Sequence, residues 1–286
     1  MAPEVVLSHL HRADGSATYT HNGYCIIGAV NGPVEVLRRD EIPEEATIEV
    51  NVRPAAGVGS MSIREAESSK HVTNTIAGPK ERHLETLLHS TLRSIILTRS
   101  IPRTLVQITL QIRTLPEEEA STGVDPVSRA GCVWGGKGSF RADWEQNRTL
   151  LPHLLHTALL ALLSASIPLS TTFTSVLIAL PSESAAPLIS PTAIELLRAK
   201  PIRSVHVFAF SGEGKMLLCE SDGEFSYEEW DEVCETAEEI CCKEGGGVAL
   251  GEGMEVEGRE GQNLDEWLRS VIRSKVEHEQ RWKSAK

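Results

Sequence analysis

A long stretch without any Asp, Glu, Lys or Arg, from Thr149 to Ser182, most constrains the fold of this chain. Its middle, residues 164–172, is polar and is broken by Pro168. Neither half therefore reaches the roughly 20 apolar residues that a membrane-spanning helix needs. We predict a buried helix from Leu150 to about Ala165, then a turn, then a buried strand near Phe173 to Leu180.

The N-terminal segment, residues 12–36, predicts a β-hairpin. It contains three turn-forming dipeptides: Asp14-Gly15, Asn22-Gly23 and Asn31-Gly32. The second separates two runs rich in β-forming residues, Ser16 to Thr20 and Tyr24 to Val30, and this pattern is the strongest short hairpin signal. A phosphate-binding loop would instead place its glycines between a strand and a helix. No helical pattern follows, so the glycines are predicted to shape a sheet and not to hold a ligand.

The other periodic segments alternate in type. Alternation of apolar and polar residues or short apolar runs predict strands at Ala46–Arg53, Thr104–Leu115, Ser204–Phe210 and Lys215–Cys219. Helical spacing of apolar residues predicts helices at Lys80–Arg99, Tyr227–Lys243 and Asn263–Lys286. Strands and helices in mixed order predict an α+β domain with a mixed sheet and packed helices.

Two segments break these patterns and set the predicted organisation. Residues 116–148 carry acids, glycines and Trp134, and we interpret them as a flexible surface insertion. Residues 244–262 are rich in Gly and Glu without apolar periodicity, which is typical of a linker. The predicted organisation is a domain at 1–243, the linker, and a C-terminal helix at 263–286.

The net charge of −12 is unevenly distributed over the 286 residues. From Met216 to the last residue there are 19 acidic and 8 basic residues, against 21 and 20 before it. The first part is thus nearly neutral, which leaves a nucleic-acid-contacting face possible there. The six cysteines show no C-x-x-C spacing and fit a reduced intracellular compartment.

Ten histidines raise the question of a metal site. His153 and His156 lie on one side of the predicted buried helix, but no third ligand lies near them in sequence. We interpret them as hydrogen-bonded or surface histidines and predict no metal and no cofactor.

Four segments together resemble one known family: residues 12–36, ILTRSIPRTLVQITLQI (96–112), HTALLALLSASIPL (156–169) and LISPTAIE (188–195). They resemble the RNase PH family, and within it the non-catalytic ring subunits of the eukaryotic RNA exosome with a short N-terminus. The resemblance implies an RNase PH-like fold of the ribosomal protein S5 domain 2-like type. It also implies assembly with other RNase PH-like subunits into a six-membered ring, with cap subunits, and RNA passing through the central channel.

The family also implies a place and a role. The expected locations are the nucleus, the nucleolus and the cytoplasm, with no membrane. The expected role is support of 3′ to 5′ RNA processing and degradation, in rRNA maturation, RNA surveillance and turnover.

Active members of the family are phosphate-dependent 3′ to 5′ exoribonucleases, and this chain departs from their site. Their phosphate is held at the N-terminus of the buried helix by an Arg followed by Ser or Thr, and an Asp-x-Asp segment with a further acid completes the site. The corresponding positions here are Leu150 and Leu151, followed by Pro152, and Leu188, Ser190 and Ile194. The resemblance therefore implies a subunit that is not an enzyme.

Three arginines fall where the family faces its RNA path: Arg103 in a Pro-Arg-Thr turn, Arg64 in the loop after the predicted strand at 46–53, and Arg53. Two alternatives stay open for the arginines, because Arg64 could be a solvated loop charge and Arg103 could tie down its own turn. Two stay open for the function: a stand-alone or homodimeric nuclease, or an active phosphorolytic exoribonuclease.

Overall fold

The computed structural model describes residues 3–36, 38, 41–55, 79–116, 139–182, 186–199, 201–242 and 264–284. Its strands are β1 (Glu4–Leu7), β2 (Gly15–His21), β3 (Tyr24–Glu35), β4 (Thr47–Arg53), β5 (Thr104–Thr114), β6 (Phe173–Pro181), β7 (Leu188–Ile189), β8 (Ile202–Ser211) and β9 (Met216–Gly223). Its helices are α1 (Pro79–Ile95), α2 (Ser139–Ser164), α3 (Ala193–Arg198), α4 (Tyr227–Cys242) and α5 (Leu264–Ser284).

The strands form two sheets, and the predicted mixed α+β architecture is confirmed. The first has the order β1-β2-β3-β5-β4, and the second has the order β7-β6-β8-β9. Only β4 and β5 pair in parallel among the described strands, and α1 connects them. The four outer strands, β1, β4, β7 and β9, are the sheet edges.

The predicted hairpin is confirmed. Strand β2 pairs with β3 in antiparallel register, and His21 lies opposite Tyr24. The two residues between them, Asn22 and Gly23, have φ values of 51° and 85°. Positive φ at both central positions is the geometry that favours Asn-Gly in a two-residue hairpin. The third dipeptide, Asn31-Gly32, lies inside β3 at an irregularity of its pairing with β5 and forms no turn between strands.

Helix α2 lies between the two sheets, as its uncharged sequence predicts. Every side chain from Arg148 to Leu162 is buried. Its approach to the hairpin depends on two glycines, because a Cβ at Gly15 would lie 2.6 Å from the carbonyl oxygen of Ala161, and one at Gly28 would lie 2.9 Å from Thr157 Cγ2. Helix α4 covers the outer face of the second sheet, so the layers run sheet, helix, sheet, helix.

Two predicted helix boundaries are wrong. Helix α2 begins at Ser139 and not at Leu150, so residues 139–148 are helical although they were predicted to belong to an insertion. Helix α1 ends at Ile95 and not at Arg99, because the backbone N–H of Leu97 donates to the oxygen of Pro168, 3.0 Å away. Pairing with the segment after α2 thus replaces the last helical turn.

Strand β1, strand β7 and helix α3 were not predicted, and β9 extends beyond the predicted Cys219 to Gly223. Helix α5 matches the predicted C-terminal helix and packs on the core through Leu268. The predicted linker at 244–262 and residues 117–138 of the predicted insertion lie outside the described residues. Among the described helices, none is long and apolar enough to span a bilayer.

Candidate functional site

A pocket opens where the β2–β3 turn, helix α2 and the segment after β7 meet. It is lined by Tyr19, His21, Asn22, Thr149, Pro152, His153, His156, Ser175, Leu177, Ser190 and Pro191. The amide nitrogen of Asn22 donates to the backbone oxygen of Ser190, 3.2 Å away, and so joins the turn to the segment after β7. Two positions that the family resemblance assigns to the phosphate and acidic groups, Pro152 and Ser190, therefore do meet in one pocket.

The other assigned positions lie elsewhere. Leu150 and Leu151 are buried in the core around α2. Leu188 is half-buried in β7, and Ile194 is exposed on α3. None of these four leucine and isoleucine side chains lines the pocket.

The helix at Pro152 differs from the expectation. Pro152 was predicted in the first turn of the buried helix, but it lies well inside α2. In a helix interior each N–H is bonded to the carbonyl four residues back, and proline removes one of these bonds. The backbone at Leu150, Leu151 and Pro152 therefore offers no row of free N–H groups to an anion.

An Arg followed by a hydroxyl residue, Arg148-Thr149, lies just before these positions. The guanidinium of Arg148 is buried against β9, where it pairs with Asp222 and lies 3.8 Å from a carboxylate oxygen of Glu220. It does not line the pocket, whereas the hydroxyl of Thr149 does and accepts a hydrogen bond of 2.9 Å from Tyr24. Arg148 is thus neutralised by acids of another strand, and none of the described residues that line the pocket is Asp, Glu, Lys or Arg.

Two histidines of α2 face the pocket in the neutral state. His156 Nε2 accepts a hydrogen bond of 3.0 Å from the backbone N–H of Ser175, so its proton lies on Nδ1. Burial, and to a smaller extent the neighbouring His21, lower the pKa of His156 to about 3. Burial, then His21 and His156, lower the pKa of His153 well below its usual value.

These histidines correct a prediction. They were expected to be hydrogen-bonded or exposed, and both are buried. His156 is hydrogen-bonded through Nε2, but neither Nδ1 has a hydrogen-bond partner in the described part of the chain. A helical i, i+3 spacing indicates a shared face but does not show that the face is covered by a second sheet. Across the described ranges, no group of three or more His, Cys, Asp or Glu side chains is arranged to hold a metal ion.

The candidate RNA-contacting arginines do not form one site. Arg103 is exposed at the start of β5 with φ 60°, and its Nε lies 3.4 Å from a carboxylate oxygen of Glu41. Arg53 is exposed at the far end of β4, opposite Gln111 in the parallel pairing with β5. At about 3.3 Å per residue, the two arginines lie about 26 Å apart along the strands. Arg64 lies outside the described residues.

Comparison with known proteins gives a consistent result. The sequence model of the 3′ exoribonuclease family, domain 1 (RNase PH), matches residues 3–168. The Saccharomyces cerevisiae exosome complex component RRP46 is 28% identical over 247 residues, which cover 84% of this chain and 91% of that protein. The Schizosaccharomyces pombe exosome complex component rrp46 is 33% identical over 103 residues, 36% of this chain and 38% of that protein.

Solved structures share the fold. The crystal structure of rice (Oryza sativa) Rrp46 has a TM-score of 0.56 at 23% identity and covers 82% of this chain and 86% of its own. An archaeal exosome core chain has a TM-score of 0.52 at 13% identity and covers 83% and 82%. The resemblance and the RNase PH-like fold inferred from the sequence are confirmed.

Proposed function

Because the chain belongs to the RNase PH family of 3′ exoribonucleases, we propose that it is a ring subunit of the RNA exosome. Similarity along 91% of a yeast exosome component carries this proposal. Its partners are other RNase PH-like ring subunits and cap subunits, and RNA passes through the shared channel. Its proposed locations are the nucleus, the nucleolus and the cytoplasm, where the assembly processes and degrades RNA from the 3′ end.

The subunit is proposed to be non-catalytic. A phosphate dianion that entered the pocket would lose water without meeting a cation, and an unpaired ion costs several kcal/mol on burial even after relaxation. Among the described residues, the pocket lining has no Asp, Glu, Lys or Arg, and Arg148 is held by Asp222 and Glu220 on β9. Within the part of the chain that the structure describes, no Asp or Glu lines the pocket to hold a metal or to act as a general acid.

The sheet edges support a role in assembly. Unpaired edge strands and exposed apolar side chains mark surfaces that partners cover. On the edge strand β1, the side chain of Val6 is 50% exposed. At the opposite edge, β4 is the last strand of the first sheet.

The test is purification of the tagged chain from its own cells, with partners identified by mass spectrometry. We expect other RNase PH-like chains in stoichiometric amounts. Expressed alone, the chain should aggregate or self-associate, and co-expression with a second RNase PH-like chain should give a soluble one-to-one pair. This pair should release no nucleoside diphosphates from RNA in the presence of phosphate, with an active phosphorolytic member of the family as positive control.

Two results would overturn the proposal. A stable monomer or homodimer that does not bind other RNase PH-like chains and that cleaves RNA would favour the stand-alone nuclease. Phosphate-dependent shortening of RNA that disappears on Thr149→Ala or His153→Ala would show that the pocket is catalytic.

A further inference from the structure

Among the large apolar side chains of the described residues, two aromatic ones are by far the most exposed: Tyr227, at 77%, and Trp282, at 70%. They occupy helices of opposite charge. Tyr227 begins α4, which contains seven acidic and no basic residues. Trp282 lies in the last turn of α5 between Arg281 and Lys283.

The end of α5 extends beyond the folded body. Its packing against the core ends near Lys275, whose ammonium donates to the backbone oxygen of Ser164, 2.9 Å away. From Val276 to Lys283 every side chain is exposed. Trp282 is therefore not fixed by packing, and its indole ring is available to solvent.

The surroundings of Trp282 are basic and polar. From Arg273 to Lys283 the helix has four basic and two acidic residues. The ammonium of Lys283 lies 5.3 Å from the centre of the Trp282 ring, on one of its two faces. The residues of the adjoining turn, from His278 to Arg281, are all polar, so the indole is an isolated aromatic group and not part of an apolar patch.

This chemistry fits nucleic acid better than a protein groove. Protein partners bury clusters of apolar side chains, whereas single-stranded nucleic acid uses single aromatic rings for base stacking and cations for the backbone phosphates. Stacking is tolerant of sequence because every base has a π-face. The other exposed aromatic residue, Tyr227, lies on α4, whose seven acidic side chains would repel the phosphates.

We propose that Trp282, with Arg281 and Lys283, forms a stacking platform for single-stranded RNA at the end of α5. One base stacks on the indole, and the two cations contact the flanking phosphates. This inference rests on the proposed function in an RNA-handling ring and adds a contact site to it that is separate from the arginines at the strand ends.

The test measures binding of a fluorescently labelled 12-nucleotide uridine RNA to the full chain, purified together with its partners. Loss of one stacked base weakens binding about fivefold or more. We therefore expect Trp282→Ala to lower the affinity by at least that factor and Trp282→Phe to retain most of the affinity. Lys283→Gln should lower the slope of log affinity against log salt by about one. Tyr227→Ala is the matched control, and its affinity should equal that of the unmodified chain.

Three outcomes separate the possibilities. Unchanged affinity and ultraviolet cross-linking for Trp282→Ala, with the partners still bound, would overturn the platform and leave the ring role intact. Loss of a protein partner with unchanged RNA binding would identify Trp282 as a protein contact and would also overturn it. If Trp282→Ala lowers the helical circular dichroism signal, its loss of affinity no longer reports on stacking alone. The salt slope of Lys283→Gln is then the test, because that variant keeps the indole. An unchanged slope would overturn the platform.

Discussion

At the scale of single residues, the neutral histidines of the pocket couple stability to pH. His153 and His156 are buried on α2, and burial is the main cause of their lowered pKa values. In the unfolded chain a histidine titrates near its usual pKa of about 6.5. The unfolded state therefore binds more protons than the folded state below that pH, and the free energy of unfolding falls as the pH decreases.

We expect the stability of the chain to fall from about pH 6.5 downwards, towards the lowered pKa of His156, which is about 3. At one pH unit below the unfolded value, each such histidine costs about 1.4 kcal/mol. The variant His156→Gln can still accept the hydrogen bond from Ser175. Its unfolding should take up one proton fewer, so its free energy of unfolding should depend less steeply on pH. Denaturant unfolding between pH 7.5 and 5 measures this slope. His278→Gln, on the exposed end of α5, is the matched control, and an equal change of slope in both variants would contradict the assignment.

The site could be predicted from the sequence only in part. Pro152 and Ser190, two of the six positions taken from the family resemblance, both line the pocket, whereas the other four do not. The pairing of Arg148 with Asp222 and Glu220 could not be predicted, since β9 lies more than 70 residues further along the chain. The neutral state of the histidines likewise depends on burial between two sheets.

At the scale of elements, the fit of α2 against the hairpin depends on glycines, which have no side chain. An added methyl group at Gly15 would collide with backbone atoms of Ala161 and Ala165, which cannot rotate away as a side chain can. We expect Gly15→Ala to destabilise the chain by about 1–3 kcal/mol, the usual range for overpacking. Gly212→Ala is the matched control, because its Cβ would meet no atom closer than 3.8 Å. Thermal unfolding of the two variants gives the comparison, and equal melting temperatures would show that α2 can shift away.

The elements that escaped prediction share a physical reason. Strand β1 has four residues and strand β7 has two, which is too few for an alternating pattern to stand out. The end of β9 is polar and becomes a strand by pairing with β8, where Ser204 lies opposite Gly223. By contrast, the hairpin and α4 carry their signals within their own sequences. The bounds of β2 and α4 hold to within one residue, whereas β3 continues five residues beyond the predicted Val30.

At the scale of the whole molecule, the arginines proposed to face RNA lie at opposite ends of the parallel pair β4 and β5. A single nucleotide therefore cannot contact both Arg53 and Arg103. The side chain of Arg103 is 67% exposed, and its contact with Glu41 is an exposed ion pair of little strength. In the single chain its guanidinium is therefore accessible to a phosphate.

In a reconstituted ring, Arg103→Ala should weaken the binding of threaded RNA modestly and lower its salt slope by about one, with base preference unchanged. Arg99→Ala is the matched control, because Arg99 lies in the same turn, is 87% exposed and also faces an acid, Glu45. If both variants bind RNA as the unmodified ring does, Arg103 only ties down its turn.

The hairpin and the helix that covers it lie far apart in the sequence, so the ribosome makes the hairpin well before the helix. The backbone N–H of Ser16 bonds to the hydroxyl of Ser164, 148 residues further along the chain. At about 5–20 residues per second, the ribosome needs about 7–30 s to make the intervening segment. For that time the apolar face of the nascent hairpin is not covered by α2, so we expect it to be open to chaperones that bind such faces until α2 emerges from the ribosome.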